Sequence, residues 1–185
     1  IPDAPASGAQ VGAAVVDWID ADTLQSAGGA EDDVYAGMPT PYRTGATLLA
    51  DVSEMRAMAG VGRGLYAALR PFVCALPNSE PAPVNINLLA PDDAPLLVAL
   101  TNGELSEGEA RDLIAATPAG GYGDLLSFWA APQFEGLEIT LEARQRVKLT
   151  SRFVEAYAVI SYNDVSTNII LLFDVDDGGD ARLIA

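Results

Sequence analysis

The sequence contains no histidine. That absence removes imidazole from every role it serves: the base of a Ser-His-Asp or Cys-His arrangement, a zinc or haem ligand, a proton shuttle near neutral pH. Cysteine is almost as scarce. The single thiol, Cys74, excludes a disulfide within the chain and any paired-cysteine zinc site. Its apolar neighbours Val73 and Ala75 predict a buried small hydrophobe in place of a nucleophile. Positive charge is also in short supply. Ten basic residues face 26 acidic ones, a net charge of −16, which repels phosphate backbones and anionic lipid surfaces. No apolar run reaches the length of about 18 residues that a membrane-spanning helix needs. Two tryptophans and six tyrosines are scattered along the chain. Nothing therefore resembles the aromatic-lined cleft in which paired carboxylates hydrolyse sugars, and no enzymatic activity is expected.

What is present is a core-forming composition. Half of the 185 residues are hydrophobic, enough for one large domain or two small ones and too many for general disorder. The chain begins at Ile1, with no basic-start signal pattern. A processed or truncated chain is expected, with any export signal upstream. Residues 1–9 read as a loose lead-in. Val11 to Ile19 predicts a short helix. A loop of about two dozen residues follows, a length usually tied to function or held by a ligand.

Helical signals resume at Asp51, where Asp51 and Glu54 have capping-box spacing. Gly60-Val61-Gly62 then breaks the pattern, and Leu65 to Phe72 predicts a second helix ending near Pro71. The segment 78–83 (NSEPAP) reads as extended linker. Pro91 suits the first turn of a third helix carrying Leu96, Leu97 and Leu100. Ser106 and Glu109 open a fourth helix that Gly120-Gly121 should stop, and Asp124 caps a fifth containing Phe128 and Trp129. After Pro132 the texture changes to alternation. Residues 145–161 and 166–175 predict strands joined by the turn Tyr162-Asn163-Asp164, with a last strand from Ala181. Helices first and an antiparallel meander last define an α+β layout. A helical part over 11–135 and a strand part over 136–185 are the expected domains.

Two segments carry candidate chemistry. Asp17, Asp20, Asp22, Glu31, Asp32 and Asp33 place six carboxylates within 17 positions. They repel one another unless solvated or neutralised. Calcium binds six to eight oxygens and would hold such a loop. Asp20, Asp22, Glu31 and Asp32 are the candidate ligands, with Asp17 a helix-end residue and Asp33 a solvated neighbour. The spacing is not that of an EF-hand, and a solvated acidic loop is the alternative it leaves open. The second segment, residues 58–70 (MAGVGRGLYAALR), has the hydrophobic-Gly-hydrophobic-Gly order of a helix-hairpin-helix. That hairpin offers backbone N–H groups to phosphate in nucleic-acid enzymes. Only Arg56, Arg63 and Arg70 lie near it, so a packing module without nucleic acid is expected.

Taken in order, DWIDAD, GGAEDD-x-Y, PTPYR, VSEMRAMAGVGRGLYAALRPFV, ALP and NIN resemble the large minor pseudopilin of bacterial type II secretion, the GspK family, over residues 11–175. One departure is at Leu88, where the family pattern N-[VI]-N-T-A has threonine. The resemblance implies a helical domain, helix-hairpin-helix-like or SAM-like, inserted in a pilin-like antiparallel sheet. It implies a non-enzymatic structural subunit at the tip of a periplasmic pseudopilus, working in protein export. The implied partners are the minor pseudopilins of types I and J, with secreted exoproteins further candidates for contact. The implied anchor is an N-terminal helix in the inner membrane that this chain lacks, and the implied cofactor is calcium around the acidic loop. The strand run 147–175 carries more apolar side chains than a meander can bury, so one face is expected to pack on that missing helix and the assembly surface to lie on the pilin-like part. The alternative function is an exported helix-hairpin-helix binder of nucleic acid, of the DNA-uptake kind, which would require a basic stripe.

Overall fold

The computed structural model describes residues 6–176 and 178–184. Residues 1–5 of the expected lead-in, Asp177 of the expected last turn and Ala185 lie outside the described residues. The chain forms two compact units, Ile1–Glu80 and Pro81–Ala185.

In the first unit, helix α1 (Gly8–Ile19) begins three residues earlier than its apolar periodicity indicates. Ser7 caps it, and Gln10 reaches back to the Ser7 N–H, a complete capping box. The long loop that follows is interrupted by one short helix, α2 (Asp32–Ala36). The Asp51–Glu54 box forms as expected, on a 3-10 helix, Val52–Ala57. Helix α3 (Arg63–Leu69) runs into a 3-10 turn, Arg70–Phe72. Between these helices Gly60 has φ +77°, whereas Gly62 is ordinary N-cap backbone at φ −73°. The core gathers Val11, Trp18, Ala30, Tyr35, Val52, Met55, Met58 and Val61. Trp18 stands edge-on to Tyr35 at 5.3 Å between ring centroids, and the Tyr35 hydroxyl accepts from the Ala59 N–H at 3.1 Å. Aromatic packing with a satisfied polar end thus seats α1 and α2 on the turn before α3. Cys74 is exposed, contrary to the expectation from its apolar neighbours.

The second unit opens with a feature that the periodicity does not show. Strand β1 (Val84–Asn85) pairs in parallel with β2 (Val147–Lys148), Val84 opposite Val147. Pro91 lies in a 3-10 turn, Pro91–Asp93, just ahead of α4 (Ala94–Leu100). Helix α5 (Glu107–Ala115) carries the predicted Ser106–Glu109 box. It stops before Thr117-Pro118, not at the glycines, because proline cannot continue a helix. Gly121 (φ +76°) serves another purpose: its turn closes on the Asn87 side chain. Asn87 Oδ1 accepts from the Tyr122 N–H at 2.7 Å, and Nδ2 donates to the Tyr122 carbonyl at 3.1 Å. Helix α6 (Leu125–Trp129) has Asp124 as its cap, as predicted.

Residues 141–146, part of which the alternation assigned to a strand, form helix α7 (Leu141–Arg146), capped by Thr140. Ala143 of this helix and Val147 of β2 are buried in the same core as Ile86, Leu97, Leu105, Leu113 and Phe128. The helical core therefore runs past the 135/136 boundary expected from the change of texture. The antiparallel meander follows: β3 (Phe153–Tyr162), β4 (Val165–Val175) and β5 (Ala181–Leu183), in the order β3-β4-β5. Asn163 takes φ 52° in the hairpin turn.

The register sorts the meander's residues onto two faces. Val154, Ala156, Ala158, Ile160 and Tyr162 of β3 lie opposite Phe173, Leu171, Ile169, Thr167 and Val165 of β4. That face holds no charged residue on these two strands. The other carries Glu155 and Asp174, with Arg152 and Arg182 bonded to or beside the Asp174 carboxylate. Much of the apolar face is open to solvent: Val154, Ile160, Tyr162 and Val165 are all exposed. The fold class is α+β with an antiparallel sheet, as the sequence predicts.

Candidate metal centre

The acidic loop leaves α1 at Asp20, the C-cap residue, and returns to the structure at Glu31, the N-cap of α2. Several short bonds shape the path between them. Asp22 Oδ1 accepts from the Leu24 N–H at 2.7 Å, an Asx turn. Gln25 Nε2 donates to the Gly29 carbonyl at 2.6 Å, and the Gly29 N–H to the Ser26 carbonyl at 2.9 Å. Gly28 supplies the left-handed conformation this tight turn needs, at φ +83°.

The consequence is a convergence of three predicted ligands. One carboxylate oxygen from each of Asp20, Asp22 and Glu31 lies within 4.8 Å of the others. Calcium–oxygen distances are about 2.4 Å, so two ligands on one ion stand at most about 4.8 Å apart. The three oxygens thus have the spacing of ligands to a shared cation. Two of the carboxylates also have an unpartnered buried atom, Asp20 Oδ1 and Glu31 Oε1. An anionic oxygen left without a partner is costly in the fold alone. Burial raises the Asp20 carboxyl above its ordinary range, and the charges of Asp22 and Asp17 add to the effect. Burial likewise raises Glu31, reinforced by Asp17, Asp20 and Asp22. All-oxygen, all-carboxylate donors match a hard divalent cation, and calcium above softer metals.

The other predicted acids are placed differently. Asp32 is turned away from the cluster. Its Oδ1 accepts from the Thr44 N–H at 2.8 Å and from Thr44 Oγ1 at 3.0 Å, and Arg43 lies 3.6 Å from Oδ2. The Thr44 backbone bond, aided by the Thr44 hydroxyl and Arg43, lowers its carboxyl below the ordinary range. Its role is to tie α2 to the 43–44 segment. Asp33 is exposed, as expected. Asp17 does lie in the last turn of α1, but it is fully buried and accepts the Ser26 N–H on both oxygens, at 3.1 and 3.2 Å. Sequence reasoning missed Ser26 and Gly29, whose contacts with Asp17 shape the loop. The adjacent Gly28-Gly29 pair was the available signal.

Comparison with known proteins places the chain in a family. Two family models, both described as type II secretion system (T2SS) protein K, match residues 3–78 and 84–150. The chain belongs to the type II secretion system protein K family. The gap between the two matches brackets the Glu80/Pro81 boundary of the compact units. Type II secretion system protein K of Klebsiella pneumoniae is 40% identical over 160 residues, covering 86% of this chain and 48% of that protein. The protein K of Pectobacterium carotovorum subsp. carotovorum is 46% identical over 116 residues, 63% of this chain and 35% of the relative. The chain therefore spans between a third and a half of these relatives. Among solved structures, a chain of the GspK-GspI-GspJ complex from the enterotoxigenic Escherichia coli type 2 secretion system matches with a TM-score of 0.79. The match has 26% identity and covers 95% of this chain and 61% of that one. The two family matches fall one in each compact unit, and the first spans the acidic loop.

Proposed function

We propose that the chain is the periplasmic part of a minor pseudopilin that assembles with the type I and type J minor pseudopilins at the tip of the type II secretion pseudopilus. Its role is structural and non-enzymatic, in protein export. The observation that carries this reading is the fold match over 95% of the chain, at a TM-score of 0.79, to a chain of a GspK-GspI-GspJ complex. Within this reading the helical part is a helix-hairpin-helix-like insertion, and the strands after residue 150 belong to the pilin-like sheet. The uncharged face of β3 and β4 is the packing surface for an N-terminal helix that anchors the full-length protein in the inner membrane. Its small residues Ala156 and Ala158 allow close approach of a helix.

Calcium is the proposed ligand of the acidic loop. Asp20, Asp22 and Glu31 would hold it, supported by their convergent oxygens and the unpartnered atoms on Asp20 and Glu31. A bound cation supplies neutralisation, tying the end of α1 to the start of α2. Asp32 stands outside this ligand set and buttresses α2 through Thr44. The nucleic-acid alternative is disfavoured by the net charge of −16 and by a hairpin with few basic residues around it.

The test is co-expression of this chain with the tagged soluble domains of the type I and type J partners. A three-component complex that survives size-exclusion chromatography is expected. Elution of the chain on its own, with the two partners together without it, would refute the assignment.

A further inference from the structure

One carboxylate of the acidic loop is not used by the proposed cation site. Asp17 is fully buried, and none of the arginine and lysine pairs formed among the described residues involves it. Asp17 sits in the last turn of α1. Its contacts are specific. Both oxygens receive the Ser26 N–H, nine residues along the chain. Gly29 passes so close that a Cβ there would overlap Asp17 Oδ2 and stand 2.9 Å from its Cγ and 3.1 Å from the Ala13 carbonyl carbon. Residues 25–29 form one tight turn, closed by the Gln25 and Gly29 bonds, and Asp17 fastens it to the helix.

We propose that Asp17 is a positioning residue for the cation site. It is not a ligand: it folds the loop back onto α1, so that Glu31 meets Asp20 and Asp22 before a cation arrives. This inference rests on the calcium reading above. Asp20 and Glu31 lie eleven positions apart in the sequence, and an unpinned loop of that length loses closure entropy on binding. With the turn pinned, that cost falls on folding, and binding is correspondingly stronger. The orientation of Asp17 fits the role, since its oxygens face Ser26 and Gly29 and stand apart from the three clustered oxygens.

The test combines calcium titration calorimetry on the purified chain with hydrogen exchange of the Ser26 amide in chelator. Asp17→Ala removes the acceptor and is expected to weaken calcium binding by on the order of 10–100-fold, the range for residues that orient ligands, with faster Ser26 exchange. Asp17→Asn keeps the shape and an acceptor oxygen, and is expected to retain slow exchange and most of the affinity. Asp20→Asn and Glu31→Gln are expected to lose binding while Ser26 stays protected. Loss of binding in Asp17→Asn as complete as in Asp20→Asn would make Asp17 a ligand and overturn the proposal. So would wild-type affinity in Asp17→Ala. If Asp17→Ala does not fold, the comparison of Asp17→Asn with Asp20→Asn decides alone. A wild-type chain that takes up no calcium overturns the calcium reading and this inference together, whereas wild-type binding that Asp17→Ala leaves unchanged overturns only the inference.

Discussion

Glu31→Gln separates the two opposing effects of the Glu31 charge. The variant keeps the side-chain shape but loses the negative charge of a proposed ligand whose Oε1 is buried without a partner. A ligand present at a hundredfold above its dissociation constant stabilises the form it binds by about 2.7 kcal/mol. The site lies within the unit Ile1–Glu80, and in domains of that size each 1 kcal/mol shifts the midpoint by about 4–8 °C. Calcium should therefore raise the wild-type melting temperature by about 10–20 °C. If the variant binds about a hundredfold more weakly, the same calcium concentration contributes only about 0.4 kcal/mol, or about 2–3 °C. In chelator the order reverses. The folded state raises the Glu31 carboxyl above its ordinary 4.5, first through burial. A carboxyl raised by folding supports the fold when protonated, and that support is lost as pH rises through its folded-state value. The cation-free wild type should thus melt below the variant at neutral pH. The gap should close as pH falls through the raised value and vanish below 4.5. Circular-dichroism melts in calcium and in chelator, from acid to neutral pH, measure both effects. Equal calcium shifts in the two proteins, or a variant that melts below the wild type in chelator at neutral pH, would refute the reasoning.

Gly60→Ala should cost more stability than Gly62→Ala in chemical denaturation. Gly60 holds φ +77° and a Cβ there would stand 2.6 Å from the Ala6 Cβ, whereas Gly62 has ordinary φ and open space around it. Asn87→Ala should destabilise the second unit by about 1–3 kcal/mol, the cost of leaving partly buried backbone groups unpaired, since Asn87 bonds both the N–H and the carbonyl of Tyr122. Differential scanning calorimetry on the variant checks this. Val159→Glu, an exposed position on the opposite face of the hairpin, should abolish co-purification with the proposed type I and type J partners, while Arg111→Glu on α5 should leave it intact. The reverse pattern would place the assembly surface on the helices.

Capping signals were legible because they are local. Ser106 and Glu109, Asp51 and Glu54, and Asp124 each cap a helix with residues three or fewer positions away. Ser7 and Gln10 carry the same signal, which the small, proline-bearing lead-in masked. The alternation of residues 153–175 gave the hairpin for the same reason, since a strand's side-chain period is written in consecutive residues. Residues 145–148 misled because Val147 alternates like a strand residue of the meander while it pairs with Val84 and closes the helical core. Parallel pairing across 63 positions has no local signature.

The acidic loop divides in the same way. Composition alone determined that any metal chemistry here is oxygen chemistry, because there is no histidine and one cysteine. Spacing alone determined that the carboxylates gather at and beyond the end of a helical segment. Which of them meet was decided by the tertiary structure. Asp20, Asp22 and Glu31 converge because the turn at residues 25–29 folds back on Asp17, while Asp32, adjacent to Glu31 in sequence, faces Thr44. Glu31 is the extended N-cap and Asp32 the first residue of α2, so their side chains leave the backbone in different directions. The direction of a carboxylate therefore depends on how the ends of the loop are docked, which no run of residues records.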